Sequence, residues 1–172
     1  MERRNVFSIA SPSFEGDLPA ALFHLGLLMD DISTCKASAR VIAIFHTNAG
    51  HVTLNDERYN RERNRANGNP YKQLVANLMA RGVEVELCGA TAKAHSWANA
   101  DILPGIRINT DAMARTTELV QQGFPKMSEF QSQVGRDRLL GCTRKRPRLC
   151  ISCYSCRILG RYSAPDPSHQ AL

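Results

Sequence analysis

Val83-Glu84-Val85-Glu86-Leu87-Cys88-Gly89 is the stretch of sequence that decides the fold. Its apolar residues alternate with glutamates, which is typical of a β-strand, and Cys88-Gly89 ends the pattern. A second run, Val41-Ile42-Ala43-Ile44-Phe45, is apolar throughout, short and rich in β-branched residues. Such a run is typical of a strand that is buried on both faces of a sheet. The two runs therefore predict β-strands, of which the second lies inside the sheet.

Helical patterns separate the predicted strands. Residues Asn5–Ala10 predict a first strand, and a helix with apolar residues three and four positions apart follows from about Asp17. Asn69-Pro70 begins another helix, which Arg81-Gly82 ends. The remaining predicted elements are an exposed helix or loop over 55–68, a short helix within 90–100, a strand over 106–109, a helix from 110 or 111 to 123, and a closing segment over 124–127.

Strands that alternate with helices predict an α/β fold. We expect three layers, α/β/α, with a mostly parallel central sheet of about five strands and right-handed crossovers. The regular pattern stops near residue 129. We therefore divide the chain into an α/β domain over residues 1–128 and an irregular, basic, cysteine-containing tail over residues 129–172, which we expect to be poorly ordered unless something binds it.

Composition limits the class of protein. The chain has 172 residues, of which 43% are hydrophobic, and this is enough apolar material for a packed core. No apolar run approaches the ~18–20 residues of a membrane helix. The first ten residues lack the apolar stretch of a secretory signal, so we expect a cytoplasmic protein without membrane association.

Charge is concentrated in the tail. Residues 129–172 hold 8 Lys and Arg against 3 Asp and Glu, which supplies +5 of the net charge of +6. Basic tails attract nucleic acid nonspecifically, and salt-dependent binding through this tail is one alternative function. Aromatic residues make up only 6% of the chain and no RNA-binding motif is present, which disfavours nucleic acid as a partner.

Missing motifs disfavour two further classes of enzyme. The sequence has neither G-x-G-x-x-G nor G-x-x-x-x-G-K-[ST], so we do not expect a classical nucleotide site. It also lacks G-x-S-x-G, the nucleophile motif of serine hydrolases with an α/β sheet. We therefore predict no cofactor.

The tail contains a C-x-x-C-x-x-C run, Cys150, Cys153 and Cys156, with Cys142 eight residues earlier. Four thiolates could hold zinc or an iron–sulfur cluster. The run lacks both the two separated knuckles of structural zinc sites and the fourth cysteine of ferredoxin runs. We therefore predict no metal site and keep these four cysteines as the less favoured alternative.

Several blocks of the sequence together resemble the DsrE/DsrF-like family over roughly residues 5–127. They are His46 after an apolar strand, Asn69-Pro70, residues 82–89 ending in Cys-Gly, residues 101–108, and residues 119–124. The resemblance implies a flavodoxin-like three-layer fold, assembly into trimers or hexamers, and handling of sulfur as a cysteine persulfide. It also implies that Cys88 matches the strand-end cysteine of the family and His46 a histidine frequent after the second strand.

The position of Cys88 also suggests a site without reference to any family, because ligands of open α/β sheets bind beyond the carboxyl ends of the strands. The N-terminus of the following helical segment and a nearby His46 would favour a thiolate, the nucleophile that accepts sulfane sulfur. Lys93, His95 and Trp97 could line the same rim. The alternatives are that Cys88 only fills space, that His46 is structural, and that His95 and Trp97 pack at an interface.

Two functions follow from these observations. The leading hypothesis is a sulfur carrier or sulfurtransferase that holds a persulfide on Cys88 in an intracellular relay, forms a homo-oligomer and exchanges sulfur with a donor or acceptor protein. Whether it turns over as an enzyme stays open. The alternative is a non-catalytic oligomeric module of the same fold that binds a ligand or a protein.

Overall fold

The computed structural model describes residues 2–11, 14–15 and 18–127. The tail cysteines lie outside the described residues, so the domain boundary at residue 128 and the predictions about the tail stay predictions. The elements in chain order are β1 (Arg3–Ile9), β2 (Phe14–Glu15), β3 (Leu18–Pro19), α1 (Ala20–Thr34), β4 (Ala39–Phe45), a 3-10 helix (Thr47–Thr53), α2 (Asp56–Arg63), α3 (Lys72–Ala80), β5 (Val83–Leu87), α4 (Gly89–Ala94), a second 3-10 helix (Asn99–Asp101), β6 (Arg107–Ile108), α5 (Ala112–Gln121) and β7 (Lys126–Met127).

Five strands form one sheet in the order β6-β5-β4-β1-β7, and every pair in it is parallel. This confirms the predicted α/β fold with a parallel sheet of about five strands. Ile9 pairs with Phe45, and Phe45 pairs with Leu87, so the three interior strands end level with one another. The residues that follow these strands are therefore brought together at one edge of the sheet.

Helices cover both faces of the sheet because side chains alternate along each strand. Phe45 packs with Leu25 of α1 and Val75 of α3 on one face. Ile44, its neighbour in the chain, packs with Leu119 of α5 on the other face. Burial of each such large side chain contributes about 1.5–3 kcal/mol. The three layers are thus α1 and α3, the sheet, and α5.

The first helix starts later than its apolar pattern predicts. We expected a start near residue 17, but α1 begins at Ala20 because β2 and β3 form a two-stranded antiparallel ribbon immediately before it. Pro19 has φ −57° and ψ 121°, which is extended backbone rather than a first helical turn. The apolar spacing itself is correct, since Leu22, Leu25 and Met29 are buried.

Capping and charge, more than apolar burial, define α2. The Asn55 side chain accepts a hydrogen bond of 2.8 Å from the Arg58 amide at its start. Acidic residues occupy the first turn and basic residues the last turn, which complements the helix dipole. Tyr59 is its one buried residue. Among the helices that the structure describes, none is long and apolar enough to cross a membrane.

Asn69, the first residue of the Asn-Pro pair, joins two segments of the fold. Its buried Nδ2 donates to the carbonyl oxygens of Val52 at 2.9 Å and Leu54 at 2.6 Å. Its Oδ1 accepts from the Tyr71 amide at 2.9 Å. One amide group therefore satisfies three backbone groups between the first 3-10 helix and α3.

Replacing Asn69 by alanine should lower the free energy of unfolding by about 2 kcal/mol, because buried carbonyls then lose their donor. Urea unfolding followed by circular dichroism measures this change. Asn77→Ala is the matched control, since Asn77 is an exposed residue of α3 whose side chain, among the described contacts, accepts only from the exposed Gln73 side chain. Equal stability of the two variants would contradict the role given to Asn69.

Candidate functional site

Cys88 follows β5 directly and is held there by the backbone. Its amide donates to the Phe45 carbonyl at 2.9 Å, which extends the pairing of β5 with β4 by one residue. Its side chain lies on the α5 face of the sheet, packed with Ile44, Ala112 and Leu119. Only 3% of the residue is exposed. The strand-end cysteine is therefore located at the carboxyl edge of the sheet but beneath α5.

The sulfur of Cys88 contacts the first turn of α5. The Ala112 amide donates to Sγ at 3.3 Å, and Sγ lies 3.8 Å from Asp111 Oδ1, to which the thiol donates. The other carboxylate oxygen of Asp111 caps α5, accepting from the amides of Met113 at 2.8 Å and Ala114 at 3.0 Å. The helix end that meets the sulfur thus belongs to α5, whereas the Cys88 side chain makes no capping bond to α4, the segment that follows it.

His46 follows β4 as Cys88 follows β5. Its amide donates to the Ile9 carbonyl at 2.9 Å, and its Nε2 lies 3.0 Å from Ser8 Oγ. Both side chains line an open groove of about 510 Å³ that runs along α5. Ala112, whose amide reaches the Cys88 sulfur, also lines this groove. His46 and Cys88 therefore approach the first turn of α5 from adjacent strands.

His95 and Trp97 lie together, but Trp97 belongs to a different packing cluster from Cys88. Trp97 is buried against Leu54 and Leu87, and the His95 ring stacks on it with centroids 4.5 Å apart. Lys93 is an exposed residue of α4. His46 and the Cys88 sulfur therefore both lie near Ala112 at the start of α5, whereas His95 and Trp97 form a separate group of contacts.

The second group of contacts includes two residues that the sequence did not single out, His51 and Glu62. Glu62 Oε1 accepts from Trp97 Nε1 at 3.1 Å and pairs with Arg58 at 2.9 Å. Glu62 Oε2 lies 3.9 Å from His51 Nε2 and 4.0 Å from His95 Nδ1. Burial lowers the pKa of His51 below its ordinary value of 6.5, so this imidazole is neutral at neutral pH. We refer to His51, Glu62 and His95 as the His–Glu cluster.

Cys35 differs from Cys88 in its surroundings. It ends α1, is exposed, and its Sγ lies 3.9 Å from Asp31 Oδ1. Because its side chain is exposed, Cys35 contributes little to packing. Within the described part of the chain both cysteines are free thiols, so Cys35 serves as an accessible reference for the reactivity of Cys88.

Comparison with known proteins gives one family and one fold. The model of the DsrE/DsrF-like family matches residues 13–127. The solved structure of MTH1491, a protein of unknown function from Methanobacterium thermoautotrophicum, is 16% identical with a TM-score of 0.58, and the match covers 74% of this chain and 99% of that one. The crystal structure of the ychN protein from E. coli is 18% identical with a TM-score of 0.48, covering 73% and 99%. No curated protein sequence matches the chain. At these identities the structural likeness establishes the fold alone.

Proposed function

This chain belongs to the DsrE/DsrF-like family, and from that premise we propose that it carries sulfur as a persulfide on Cys88. The observation that supports this function is the contact of 3.3 Å between the Ala112 amide, in the first turn of α5, and the Cys88 sulfur. A helix N-terminus favours negative charge on an atom placed against it. A sulfur that must become a nucleophile, and then bear a second sulfur, benefits from such a donor.

The proposed reaction is an exchange between thiol and persulfide that needs no external oxidant. The Cys88 sulfur attacks the terminal sulfur of a donor persulfide and forms a new S–S bond. The S–S bond of the donor breaks, and its inner sulfur leaves as a thiolate that takes up a proton. Asp111 Oδ1, 3.8 Å from Sγ, is the acceptor for the proton that the Cys88 thiol releases. Transfer to an acceptor protein repeats the same exchange in the opposite direction.

Access to the sulfur is the physical requirement of this function. Because only 3% of Cys88 is exposed, a donor reaches it through the groove beside Ala112. Met113, the next residue, is 81% exposed, so the first turn of α5 has little packing on its outer side to hold it in place. Loading therefore involves a small outward movement of this turn. Self-association into trimers or hexamers belongs to the same proposal, and Met113 with Val120 offers apolar surface for it.

Incubation of the full-length protein with a low-molecular-weight persulfide donor should add the mass of one sulfur atom to Cys88. Intact-mass analysis measures the addition, and peptide mapping under non-reducing conditions locates it. Cys88→Ser should lose this addition, whereas Cys35→Ser, the matched control, should keep it. The sulfur-carrier function is wrong if the parent acquires no sulfur at Cys88, or if Cys88→Ser acquires as much sulfur as the parent, because the sulfur then resides on other cysteines.

The second candidate function is a binding module without sulfur chemistry, and two observations favour it. Cys88 is buried and its thiol donates to Asp111, which is the arrangement of a packed, protonated cysteine. Thr116 Oγ1 lines the groove, is buried, and has no hydrogen-bond partner among the described residues, so a ligand in the groove would supply one. Failure of the protein to load sulfur at Cys88 in the experiment above would favour this second function.

A further inference from the structure

We propose that the His–Glu cluster binds one divalent transition-metal ion, Zn²⁺, through His51, Glu62 and His95. One ligand atom of each residue lies within 4.8 Å of the other two. Two imidazoles and one carboxylate are the protein ligands of zinc sites that leave a fourth position to water or substrate. This site is separate from Cys88 and is independent of the sulfur-carrier proposal.

Three separate segments bring the ligands together. His51 lies in the first 3-10 helix, Glu62 in the last turn of α2, and His95 directly after α4. Buried Trp97 orients both rings, since it stacks on His95 at 4.5 Å and meets the His51 ring edge-on at 5.0 Å. The imidazoles are therefore held by packing rather than left to rotate in solvent.

The hydrogen bonding of His51 directs its free nitrogen at the cluster. Its Nδ1 lies 3.3 Å from the Asn48 carbonyl, and because a carbonyl can only accept, this nitrogen carries the hydrogen. The Nε2 lone pair then faces Glu62 Oε2 at 3.9 Å. A lone pair and a carboxylate oxygen do not attract each other, whereas a cation between them binds both. A backbone carbonyl that receives the second ring N–H is a common companion of metal-bound histidine.

The two carboxylate oxygens of Glu62 also have different partners. Trp97 donates to Oε1 and Arg58 forms an ion pair with the same oxygen, which fixes the plane of the carboxylate and leaves Oε2 facing the two imidazoles. Arg58 Nη2 also donates to the His95 carbonyl at 2.9 Å, so its charge is held on the Oε1 side. Zinc–ligand bonds of about 2.0–2.2 Å require tetrahedral donors about 3.3–3.5 Å apart. Side-chain rotations that move the ligand atoms by roughly 0.5–1.5 Å are enough to reach this spacing.

Access and competition set the conditions of the site. The His95 side chain is 39% exposed, which leaves one side of the cluster open for a water molecule as fourth ligand. The Arg58 charge opposes a bound cation and reduces its affinity. The rival interpretation is a packed hydrogen-bonded cluster that Arg58 alone neutralises, and this interpretation predicts no stoichiometric zinc.

The test uses the full-length protein with Cys35 and the four tail cysteines replaced by serine, because thiolates also bind zinc. After removal of metal with a chelator, the protein is titrated with Zn²⁺ against a chromophoric zinc indicator, and separately with Co²⁺. We expect one equivalent of each ion, with visible Co²⁺ bands and no sulfur-to-cobalt charge-transfer band. The same titration is repeated on four single variants: His95→Gln, Glu62→Gln, Trp97→Phe and His24→Gln.

His95→Gln and Glu62→Gln should each weaken Zn²⁺ binding by about 100-fold or more, and Trp97→Phe, which removes the bond to Glu62 Oε1 and reduces the ring contacts with His51 and His95, by about 10-fold. His24→Gln, a histidine of α1 outside the cluster, should bind as the parent does. Zn²⁺ should also raise the Tm of the parent and of His24→Gln but not that of His95→Gln, which separates lost binding from lost folding. Absence of stoichiometric binding in the parent, or equal binding by His95→Gln and His24→Gln, would overturn the proposal.

Discussion

Replacing Gly89 by alanine should lower the free energy of unfolding by about 3 kcal/mol. A Cβ at this position would lie 2.2 Å from the Asn109 carbonyl oxygen and 2.8 Å from that of Thr110. Both are backbone atoms, so no side-chain rotation relieves the contact, and the loop before α5 has to move. The glycine after Cys88 is therefore required because two turns of the backbone touch there.

The same substitution should also reduce the loading of Cys88 with sulfur. The displaced loop runs directly into Asp111 and Ala112, the two residues that contact the Cys88 sulfur. Because this displacement is permanent, unlike the transient movement that admits a donor, the Ala112 amide stays away from the sulfur and its helix-end stabilisation is lost. The close approach of the backbone at Gly89 thus positions the loop whose residues contact the Cys88 sulfur, on which the proposed chemistry depends.

Guanidinium unfolding followed by circular dichroism measures the stability change. Gly26→Ala is the matched control, since a Cβ at Gly26 meets nothing within 4 Å and the residue lies inside α1. Alanine is a better helix former than glycine, so this variant should gain about 0.5–1 kcal/mol. If Gly89→Ala were as stable as Gly26→Ala, the close approach of the two turns would not constrain residue 89.

The sheet could be predicted from the sequence because its interior strands are rich in apolar residues. The run from Val41 to Phe45 is buried at every position. A short apolar run of this kind is typical of a strand that is buried on both faces of a sheet. The short strands β2, β3, β6 and β7 have two residues each, and their pairing depends on neighbours distant in the chain. Local pattern predicted the last two only roughly and did not predict the β2–β3 ribbon.

Polar residues that are buried against one another could not be predicted in the same way. Residues 55–68 contain almost no apolar side chain, so Glu62 was expected to face solvent, and its partial burial follows from its contacts with Trp97 and Arg58. His51 and His95 are 44 positions apart in the sequence, without the close spacing of a metal motif. Hydrophobic periodicity carries no information on such pairs. Burial of a polar group costs free energy unless a partner forms a hydrogen bond or an ion pair with it, and the partner can be distant in the sequence.

Glu86 is the strongest example of such burial, and its replacement by glutamine should lower the free energy of unfolding by about 3 kcal/mol at neutral pH. The alternating pattern of β5 does not distinguish the exposure of Glu84 from that of Glu86, yet only 1% of the Glu86 side chain is exposed. Arg115 of α5 donates to its carboxylate through Nε and Nη2 at 3.1–3.2 Å, Asn109 donates at 3.0 Å, and Arg107 forms a further ion pair. Loss of the carboxylate charge leaves the largely buried Arg115 without its main partner.

The effect of Glu86→Gln should depend on pH in a defined direction. Burial alone would raise the pKa of Glu86, but the hydrogen bonds from Arg115, Asn109 and Arg107 outweigh it and hold the pKa below its ordinary value of 4.5. A carboxyl group whose pKa is lower in the folded state stabilises the fold above its ordinary value. That contribution is lost as the pH falls through the lower, folded-state pKa. The stability difference between parent and Glu86→Gln should therefore be largest near neutral pH and should shrink below pH 4.5.

Urea unfolding at a series of pH values tests both parts of this prediction. Glu84→Gln is the matched control, because Glu84 lies two residues earlier on the same strand and the same face, but its side chain is 40% exposed. It pairs with the equally exposed Arg40, and exposed pairs contribute less than about 1 kcal/mol. A difference between parent and Glu86→Gln that stays constant across this range would mean that the charge of Glu86 is not what stabilises the fold. A difference that shrinks much more for Glu86→Gln than for Glu84→Gln would identify the charge of the buried carboxylate, which anchors α5 to β5 through Arg115, as the group that stabilises the fold.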